Sequence, residues 1–410
     1  MNDKILILCQ YFYPEYVSSA MLPTQLSEEL NNKGIIVDVI CGQTKEYCNG
    51  KNAPNNEMYN GVKINRVKYV TFNDKKKLGR IINFFSFFVS VLMRFHKIVK
   101  YKLVFVYSNP PILPLICYWA SKFSRLKFVF VGFDLYPDNA LALNAIKRGG
   151  IIEKLMRYIN DKVYSSATNM VAISSDMKDY MTNKYSELQN NKVKVIPNWY
   201  TGAIDKSITN VVSEEFINLR EKWDFILLYT GNMGEAQDLN TIIDAIIEMK
   251  ERCIIKKTLF VFTGHGSRSK EIQQRLLNEK VDNVKFYGFL KGQDFVDILN
   301  ISDICLASLK SGIEGLGVPS KIYGYFAFGK PVIVIMSSKT ELAMNVNAFN
   351  AGASVSQGDK DKFIELIVHY RDNPDLLKKA QIGSARIHEE LYEKQISINK
   401  YYKLIKEILN

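Results

Sequence analysis

Short apolar runs separated by helix-length amphipathic stretches repeat along the first half of this chain. A first helix is predicted from about Ala20 to Asn32, and helical segments separate the later runs in the same way. Short buried strands that alternate with helices are typical of a doubly wound parallel sheet. The runs interpreted as strands are Lys4–Cys9, Val37–Cys41, Val62–Val70, Leu103–Tyr107, Phe128–Val131, Met170–Ile173 and Val193–Ile196.

A second series begins at Phe225, after a connection over 197–210 that is rich in turn-forming residues. Its predicted strands are Phe225–Thr230, Leu259–Thr263, Val284–Phe286, Ile304–Leu309 and Pro331–Ile335. A chain of 410 residues is too long for one compact core. We therefore predict an α/β fold with two Rossmann-like, doubly wound domains, 1–200 and 201–385, facing a cleft, and C-terminal helices. The last helix, 386–410, is expected to pack back on the N-terminal domain.

The net charge of +12 is concentrated in one part of the chain. Residues 51–148 contain 17 Lys and Arg against 4 Asp and Glu, a surplus of 17 − 4 = 13. Within this stretch, Lys75–Lys102 has basic clusters around an apolar, aromatic centre. That centre is shorter than the roughly 20 apolar residues that span a bilayer, so we expect it to lie on an anionic membrane surface. The lack of a recognised module disfavours nucleic acid.

In this interpretation Phe84, Phe85, Phe87 and Phe88 insert between the head groups and the lysines bind anionic lipids. The alternative is a core helix of the first domain with a solvated basic rim. The helical period alone does not separate the two, and both can hold on opposite faces of one helix pair.

Cysteine and histidine usage narrows the class of protein further. The six cysteines form no C-x-x-C pair, which suits reduced thiols of a cytoplasmic protein. The four histidines are not paired at ligand spacing, which argues against a zinc site. The first residues lack the pattern of a secretion signal. Together with the basic segment, this predicts a cytoplasmic protein that is peripheral on the inner face of the cell membrane.

The stretch from Ser311 to Ile333 carries the most informative pattern. Glu314 lies in a loop whose glycines let backbone N–H groups approach a ligand, and Pro319 and Ser320 open a helix that ends at Gly329. An acid, a glycine loop and a helix start together indicate an anion site. Other predicted strands of the second half end in comparable stretches, at 231–238, 264–266 and 287–290.

Several motifs resemble the retaining glycosyltransferases of family 4, which have the two-domain glycosyltransferase B fold. E-G-L-G-V-P and A-F-G-K-P-V-I match that family's donor loop and the helix end that follows it. D-L-Y-P-D-N-A-L-A-L, V-I-P-N-W and Y-T-G-N-M-G-E-A-Q-D-L resemble segments of the bacterial O-antigen and capsule branch, which includes N-acetylfucosamine transferases. The resemblance extends over nearly the whole chain, with the motifs in the expected order.

The resemblance implies roles for individual residues. Glu314 would approach the donor sugar and Asp134 the acceptor, and these are the candidate catalytic residues. It implies a nucleotide diphosphate sugar as substrate, with the uridine form favoured, and no cofactor or metal. The implied donor-binding residues are Ser18, Ser19, Gly231, Asn232, Gln237, Gly264, His265, Tyr287, Leu290, Gly315, Leu316, Gly317, Val318, Ser320 and Lys321.

Three positions depart from the family pattern. Gly324 stands where the family has a glutamate for the ribose, and Asn232 and Gln237 stand where it has Arg and Lys for the diphosphate. An enclosed diphosphate needs positive partners. We therefore hypothesise that Lys321, in the first turn of the predicted helix, supplies one of them.

The expected activity is metal-independent transfer of a hexosyl or N-acetylhexosaminyl group, with retention, to a lipid-linked acceptor of bacterial surface polysaccharide. Two alternatives remain open. A nucleotide-sugar epimerase of the same fold would need no membrane-facing segment. A non-catalytic scaffold of a polysaccharide assembly complex would be compatible with the replaced glutamate at Gly324. The sequence does not indicate the donor sugar, the acceptor or the oligomeric state.

Overall fold

The computed structural model describes residues 3–44, 52–72, 77–185, 188, 190–202 and 211–410. Most of the predicted connection over 197–210, as well as Lys75, Lys76 and Cys48, lies outside these residues. The chain forms two α/β units. The first comprises Met1–Thr201, Gly315–Val318 and Lys394–Asn410, and the second comprises Gly202–Glu314 and Pro319–Glu393.

Each unit is built on one sheet. The first has the strand order β3-β4-β2-β1-β5-β6-β7-β8 and the second has β11-β10-β9-β12-β13-β14. The strands are β1 (Lys4–Leu8), β2 (Ile36–Gly42), β3 (Asn56–Tyr59), β4 (Val62–Val67), β5 (Leu103–Tyr107), β6 (Lys127–Gly132), β7 (Asn169–Ala172), β8 (Val193–Val195), β9 (Phe225–Asn232), β10 (Thr258–His265), β11 (Val284–Tyr287), β12 (Ile304–Ser308), β13 (Val332–Ile335) and β14 (Gly352–Val355). All pairs are parallel except β3 with β4.

Helices connect the strands and cover the sheets. They are α1 (Ser18–Asn32), α2 (Lys77–Leu92), α3 (Phe95–Ile98), α4 (Pro114–Phe123), α5 (Asp138–Ala142), α6 (Ile151–Ser166), α7 (Ser175–Lys184), α8 (Glu214–Lys222), α9 (Asn240–Glu251), α10 (Ser269–Asn278), α11 (Gly292–Ile301), α12 (Lys321–Ala327), α13 (Glu341–Ala348), α14 (Lys360–Asp372), α15 (Pro374–Ile387) and α16 (Lys394–Leu409). A π-helical turn, His388–Tyr392, precedes α16. None of the described helices is long and apolar enough to cross a membrane.

Right-handed crossovers fix which helices share a face of the first sheet. From β1 the chain moves to β2 in one direction, whereas from β4 onward it moves in the opposite direction. The helices α2, α4, α6 and α7 therefore lie on one face and α1 on the other. The last helix, α16, joins α1, since Ile398 and Tyr401 pack in the core that β1, β2 and β5 share with α1. Ser397 fixes its start by donating to the carbonyl of Pro197 over 2.7 Å.

The strand β3 is absent from the sequence prediction. It forms an antiparallel hairpin with β4 through Asn60 and Gly61, which have φ values of 47° and 79°. Asn-Gly is the preferred pair for such a two-residue turn because both positions need positive φ. The Asn60-Gly61 dipeptide is therefore the feature of the sequence that indicates this strand.

Within residues 77–102, two of the four phenylalanines predicted to face a membrane face the protein instead. Phe87 and Phe88 are buried, so the proposed insertion of these two rings into a membrane is wrong. Their rings pack edge-on against Tyr69 and Trp119 in the first unit. Phe84 is half-buried and Phe85 is exposed. The helical period had identified an amphipathic helix but not which of its apolar residues face the sheet.

Candidate active site

Two predicted donor-binding stretches lie side by side at the carboxyl edge of the second sheet. In the parallel register of β9 and β10, Gly231 pairs with Gly264 and Asn232 with His265. Both glycines have positive φ, 88° and 117°. A Cβ at Gly264 would lie 2.2 Å from the carbonyl oxygen of Gly231, so a side chain at this position would separate the two strand ends. The edge thus offers closely spaced backbone groups without side-chain cover.

Lys321 is held against this edge by the helix that it starts. Tyr325, one turn later on α12, accepts a hydrogen bond from the backbone N–H of Thr230 over 2.9 Å, which ties the helix to β9. The Lys321 Nζ lies 3.3 Å from the ring centroid of Tyr229 and within the described residues has no hydrogen-bond partner. Burial lowers the pKa of Lys321 well below its ordinary value. A buried amine without an acceptor is what a site for an anionic ligand requires.

Glu314 is oriented by its own loop and by a residue that the sequence prediction missed. Its Oε2 accepts a hydrogen bond from the N–H of Gly312 over 2.6 Å, and its Oε1 accepts one from Nε2 of Gln357 over 2.8 Å. The same Gln357 amide donates to the carbonyl of Leu309 over 3.1 Å. Gln357 follows β14, a strand that was not predicted. Recognising that strand would have added S-Q-G-D to the strand-end stretches.

Gln237 lines a cavity of about 580 Å³ in the second unit. Its Oε1 is buried and has no hydrogen-bond partner in the described part of the chain. Lys310 and Arg268 also line the cavity, and Arg268 is paired with Glu271 at 3.0 Å. Lys310 directly follows Leu309 at the end of β12, and the sequence prediction did not select it. The cavity therefore offers a further cation close to the loop of Glu314.

The other predicted residues at strand ends of the second unit have side chains that are partly buried or contact neighbouring residues. The Tyr287 hydroxyl donates to Glu215 over 2.7 Å, which commits this phenol to α8. Leu290 is half-buried and His265 faces Phe289, with ring centroids 6.1 Å apart. The predicted contact of Tyr287 and Leu290 with a base therefore falls to their backbone groups and stays a prediction.

In the first unit, Asp134 lies in the loop that follows β6. It accepts a hydrogen bond from Nδ2 of Asn139 over 2.9 Å, and its backbone N–H donates to Oγ of Ser108 over 3.3 Å. Burial raises the pKa of Asp134 to about 6, although the bond from Asn139 acts in the opposite direction. A carboxyl group that titrates near neutrality suits acid and base chemistry.

The glycine loop Gly315–Val318 is grouped with this first unit and lies beside Asp134. The N–H of Leu135 donates to the carbonyl of Leu316 over 3.2 Å. A Cβ at Gly317 would lie 3.3 Å from Oδ1 of Asp134, so glycine leaves the carboxylate uncovered on that side. Two predicted groups, Asp134 and the glycine loop, are therefore adjacent.

The predicted serines occupy helix starts. Ser18 and Ser19 form the first turn of α1, whose cap residue, Val17, provides no side-chain hydrogen bond. Ser320 is exposed and directly precedes α12, again without a side-chain cap bond. Gly324, the position of the family's second glutamate, is buried within α12.

Comparison with known families covers most of the chain. Residues 23–200 match the family described as Glycosyltransferase Family 4, and residues 213–385 match the family described as Glycosyl transferases group 1. The chain belongs to these glycosyltransferase families. The predicted family resemblance is therefore confirmed.

Individual relatives agree with this assignment. The chain is 27% identical over 312 residues to "Probable glycosyltransferase WbjE" of Pseudomonas aeruginosa, covering 74% of each chain. It is 24% identical over 214 residues to WcaI of Escherichia coli, a protein named for colanic acid biosynthesis, covering 51% of this chain and 50% of that relative.

Solved structures share the fold at low sequence identity. Sucrose-phosphate synthase of Thermosynechococcus elongatus superposes with a TM-score of 0.75 at 13% identity, covering 99% of both chains. HepE of Anabaena, solved in complex with UDP, gives 0.68 at 14% identity, covering 98% of this chain and 100% of the other. The predicted glycosyltransferase B fold is thereby confirmed.

Proposed function

We propose that this glycosyltransferase moves a sugar from a nucleotide diphosphate sugar, with uridine as the favoured base, to a lipid-linked acceptor in bacterial surface polysaccharide synthesis. The observation that carries the proposal is the buried Lys321 Nζ, which has no acceptor among the described residues and lies beside the ends of β9 and β10, where Gly231 pairs with Gly264. A diphosphate provides the negatively charged hydrogen-bond acceptor that this amine lacks. WcaI, which is named for colanic acid biosynthesis, and HepE, which was solved with UDP, support the substrate classes.

Transfer proceeds with retention by front-face substitution. Lys321 and the backbone N–H groups of the Gly315–Val318 loop stabilise the charge that develops on the leaving diphosphate. Glu314, once released from Gly312, accepts hydrogen bonds from donor sugar hydroxyls. The diphosphate takes the acceptor proton, and Asp134, with its pKa of about 6, orients the acceptor hydroxyl. These groups provide enough stabilisation for transfer without a metal ion.

The lipid-linked acceptor is reached through the membrane-facing side of the first unit. Leu78, Ile81, Phe85, Val89 and Met93 recur at helical spacing along and just beyond α2 and are 37% to 69% exposed. Basic residues flank this stripe at Arg80 and Lys97. An exposed apolar stripe with basic flanks suits the interface of an anionic bilayer. The protein is therefore peripheral on the inner face of the cell membrane.

The proposal is tested with a panel of radiolabelled nucleotide sugars and a bacterial membrane lipid extract in detergent. Label that appears in the lipid fraction and is lost in Glu314→Gln supports lipid-directed transfer. Interconversion of nucleotide sugars without lipid labelling would identify an epimerase instead. Binding of UDP without either reaction, for the whole panel, would indicate a scaffold.

A further inference from the structure

A second exposed apolar stripe lies at the start of α6. Ile151, Ile152, Leu155 and Tyr158 are 50% to 86% exposed. Ile151, Leu155 and Tyr158 follow each other at spacings of four and three residues, so they lie on one face of the helix. The opposite face is buried in the first unit through residues such as Ile159 and Val163. The helix thus has a core face and, at its start, an apolar face in solvent.

The stripe is surrounded by uncompensated positive charge. Between Asn144 and Tyr158 the chain has four basic residues and one acid, a surplus of 4 − 1 = 3. The acid, Glu153, is already paired with Arg157 at 2.8 Å. Lys147, Arg148 and Lys154 are exposed and form no ion pair with any described residue. A surface that is both apolar and basic matches an anionic bilayer rather than a neutral or basic partner.

The α6 stripe and the α2 stripe belong to the same face of the first sheet. The helix α4 lies between them, since it packs on α6 and its Trp119 ring contacts Phe88 of α2 edge-on, with centroids 6.0 Å apart. Both α2 and α6 follow strands of a parallel sheet, so both begin at its carboxyl edge. Both stripes therefore start at the edge where Asp134 lies.

Contacts of the loop after β6 support this placement. Arg157 of α6 binds Asp138 at 3.0 Å, and Asn160 of α6 donates to the carbonyl of Tyr136. Burial raises the pKa of the Tyr136 hydroxyl, and the positive charge of Arg80 on α2 acts in the opposite direction. The loop that carries Asp134 thus contacts the middle of α6, which places α6 beside the carboxyl edge.

We propose that the start of α6 is a second membrane-insertion point, so that an anionic bilayer contacts α2 and α6 together. The bilayer then faces the carboxyl edge of the first sheet and presents an acceptor head group to Asp134. This inference rests on the proposed lipid-linked acceptor, and it adds the orientation of the first unit on the membrane.

Site-specific labelling of the full chain tests the insertion directly. In a Cys48→Ser, Cys253→Ser background, an environment-sensitive dye is attached at Ile152→Cys, and separately at Ile382→Cys as control. Ile382 is similarly exposed, at 57%, but belongs to α15 of the second unit. With vesicles of phosphatidylcholine containing about 30 mol% phosphatidylglycerol, the dye at 152 should shift to the blue and gain several-fold in intensity, whereas that at 382 should not change.

Vesicle sedimentation gives a second, label-free measurement. The pair Ile151→Ser and Leu155→Ser should weaken vesicle binding by about tenfold or more, because two apolar side chains no longer enter the interface. The pair Leu277→Ser and Ile382→Ser, whose side chains are also more than half exposed but lie in the second unit, should bind as wild type. Thermal unfolding of each variant checks that the fold is kept.

The outcomes separate this proposal from the proposed function. A dye at 152 that stays in water while one at Phe85→Cys responds overturns the α6 contact and leaves α2 as the membrane contact. A dye that responds to a protein extract but not to vesicles also overturns it, in favour of a protein partner. Transfer to lipid extract in detergent does not require the bilayer. If α6 inserts but no transfer to lipid is detected, the result counts against the proposed transferase and not against the α6 contact.

Discussion

Replacing Lys321 by methionine should stabilise the second unit and weaken donor binding. The Nζ is buried and has no acceptor among the described residues. Methionine has similar length and no polar group to desolvate, so it fills the same space beside Tyr229. A substitution that improves stability while removing function is expected where a buried polar group exists for its ligand.

The magnitude follows from the surroundings of the amine. A buried polar group without a partner costs about 1 to 3 kcal/mol. Contact with the Tyr229 ring, at 3.3 Å from its centroid, would return about 0.5 to 2 kcal/mol only if the amine were charged. Burial lowers the pKa of Lys321 well below its ordinary value, so the folded unit disfavours the charge on which the ring contact depends. Lys321→Met should therefore stabilise by about 1 to 2 kcal/mol.

The matched control is Lys330→Met in the same unit. Lys330 is also largely enclosed, but its Nζ donates to the carbonyls of Asn300 and Ser302 over 3.0 and 3.1 Å. Removing it leaves those carbonyls without this donor, and the unit should lose about 1 to 3 kcal/mol. Chemical denaturation and hydrogen exchange at the β9 amides measure both variants. Opposite signs are expected, and destabilisation by both would refute the reasoning.

The effect of Lys321→Met should depend on pH in a defined direction. The unfolded chain protonates this amine below its ordinary pKa, whereas the folded chain keeps it neutral down to a lower pH. Between the two values the unfolded state binds more protons, so this residue makes stability rise with pH. The advantage of the methionine variant should thus be larger at about pH 7 than at about pH 10.

Donor binding gives the functional arm of the same prediction. A charge-assisted hydrogen bond to a phosphate contributes about 1.5 to 3 kcal/mol, which corresponds to roughly 10- to 150-fold in Kd. Isothermal titration of UDP should show this loss in Lys321→Met and a smaller one in Lys321→Arg. Proton uptake upon UDP binding, seen as a dependence of the heat on the buffer, should occur in wild type only. Unchanged UDP affinity in Lys321→Met would remove this residue from the donor site.

Three further changes probe the acceptor side, the donor loop and the C-terminal helix. Asp134→Asn should remove a step near pH 6 from the pH profile of transfer, because burial raises the pKa of that carboxyl to about 6. If the step is retained, it belongs to another group. Gln357→Ala should lower kcat by about tenfold with little change in UDP affinity, because it frees the Glu314 side chain without affecting the groups that bind the diphosphate. A parallel loss of UDP affinity would contradict the role of Gln357 in orienting Glu314. Deleting 394–410 should prevent folding of the first unit, because buried side chains of α16 complete its core, and a deletion variant with a native circular-dichroism spectrum and melting transition would refute that.

The sequence alone determined the alternation of strands and helices, and with it the carboxyl edges where the candidate site lies. Gly231 and Gly264 were identifiable because a glycine after an apolar run marks a strand end. The Asn60-Gly61 hairpin and the strand before Gln357 were identifiable in principle, through turn chemistry and a short apolar run. The site residues themselves stay predictions that the proposed experiments address.

Only the tertiary structure decided which side of each amphipathic helix faces the protein. On α2 the period was correct, but Phe87 is buried and Phe85 exposed, since the rotation of a helix about its axis depends on the partner against which it packs. Likewise Lys321 could be placed at a helix start from sequence, whereas the absence of an acceptor around its Nζ depends on strands and loops remote along the chain. Local periodicity is encoded in neighbouring residues, but burial and hydrogen-bond satisfaction arise from the whole packed unit.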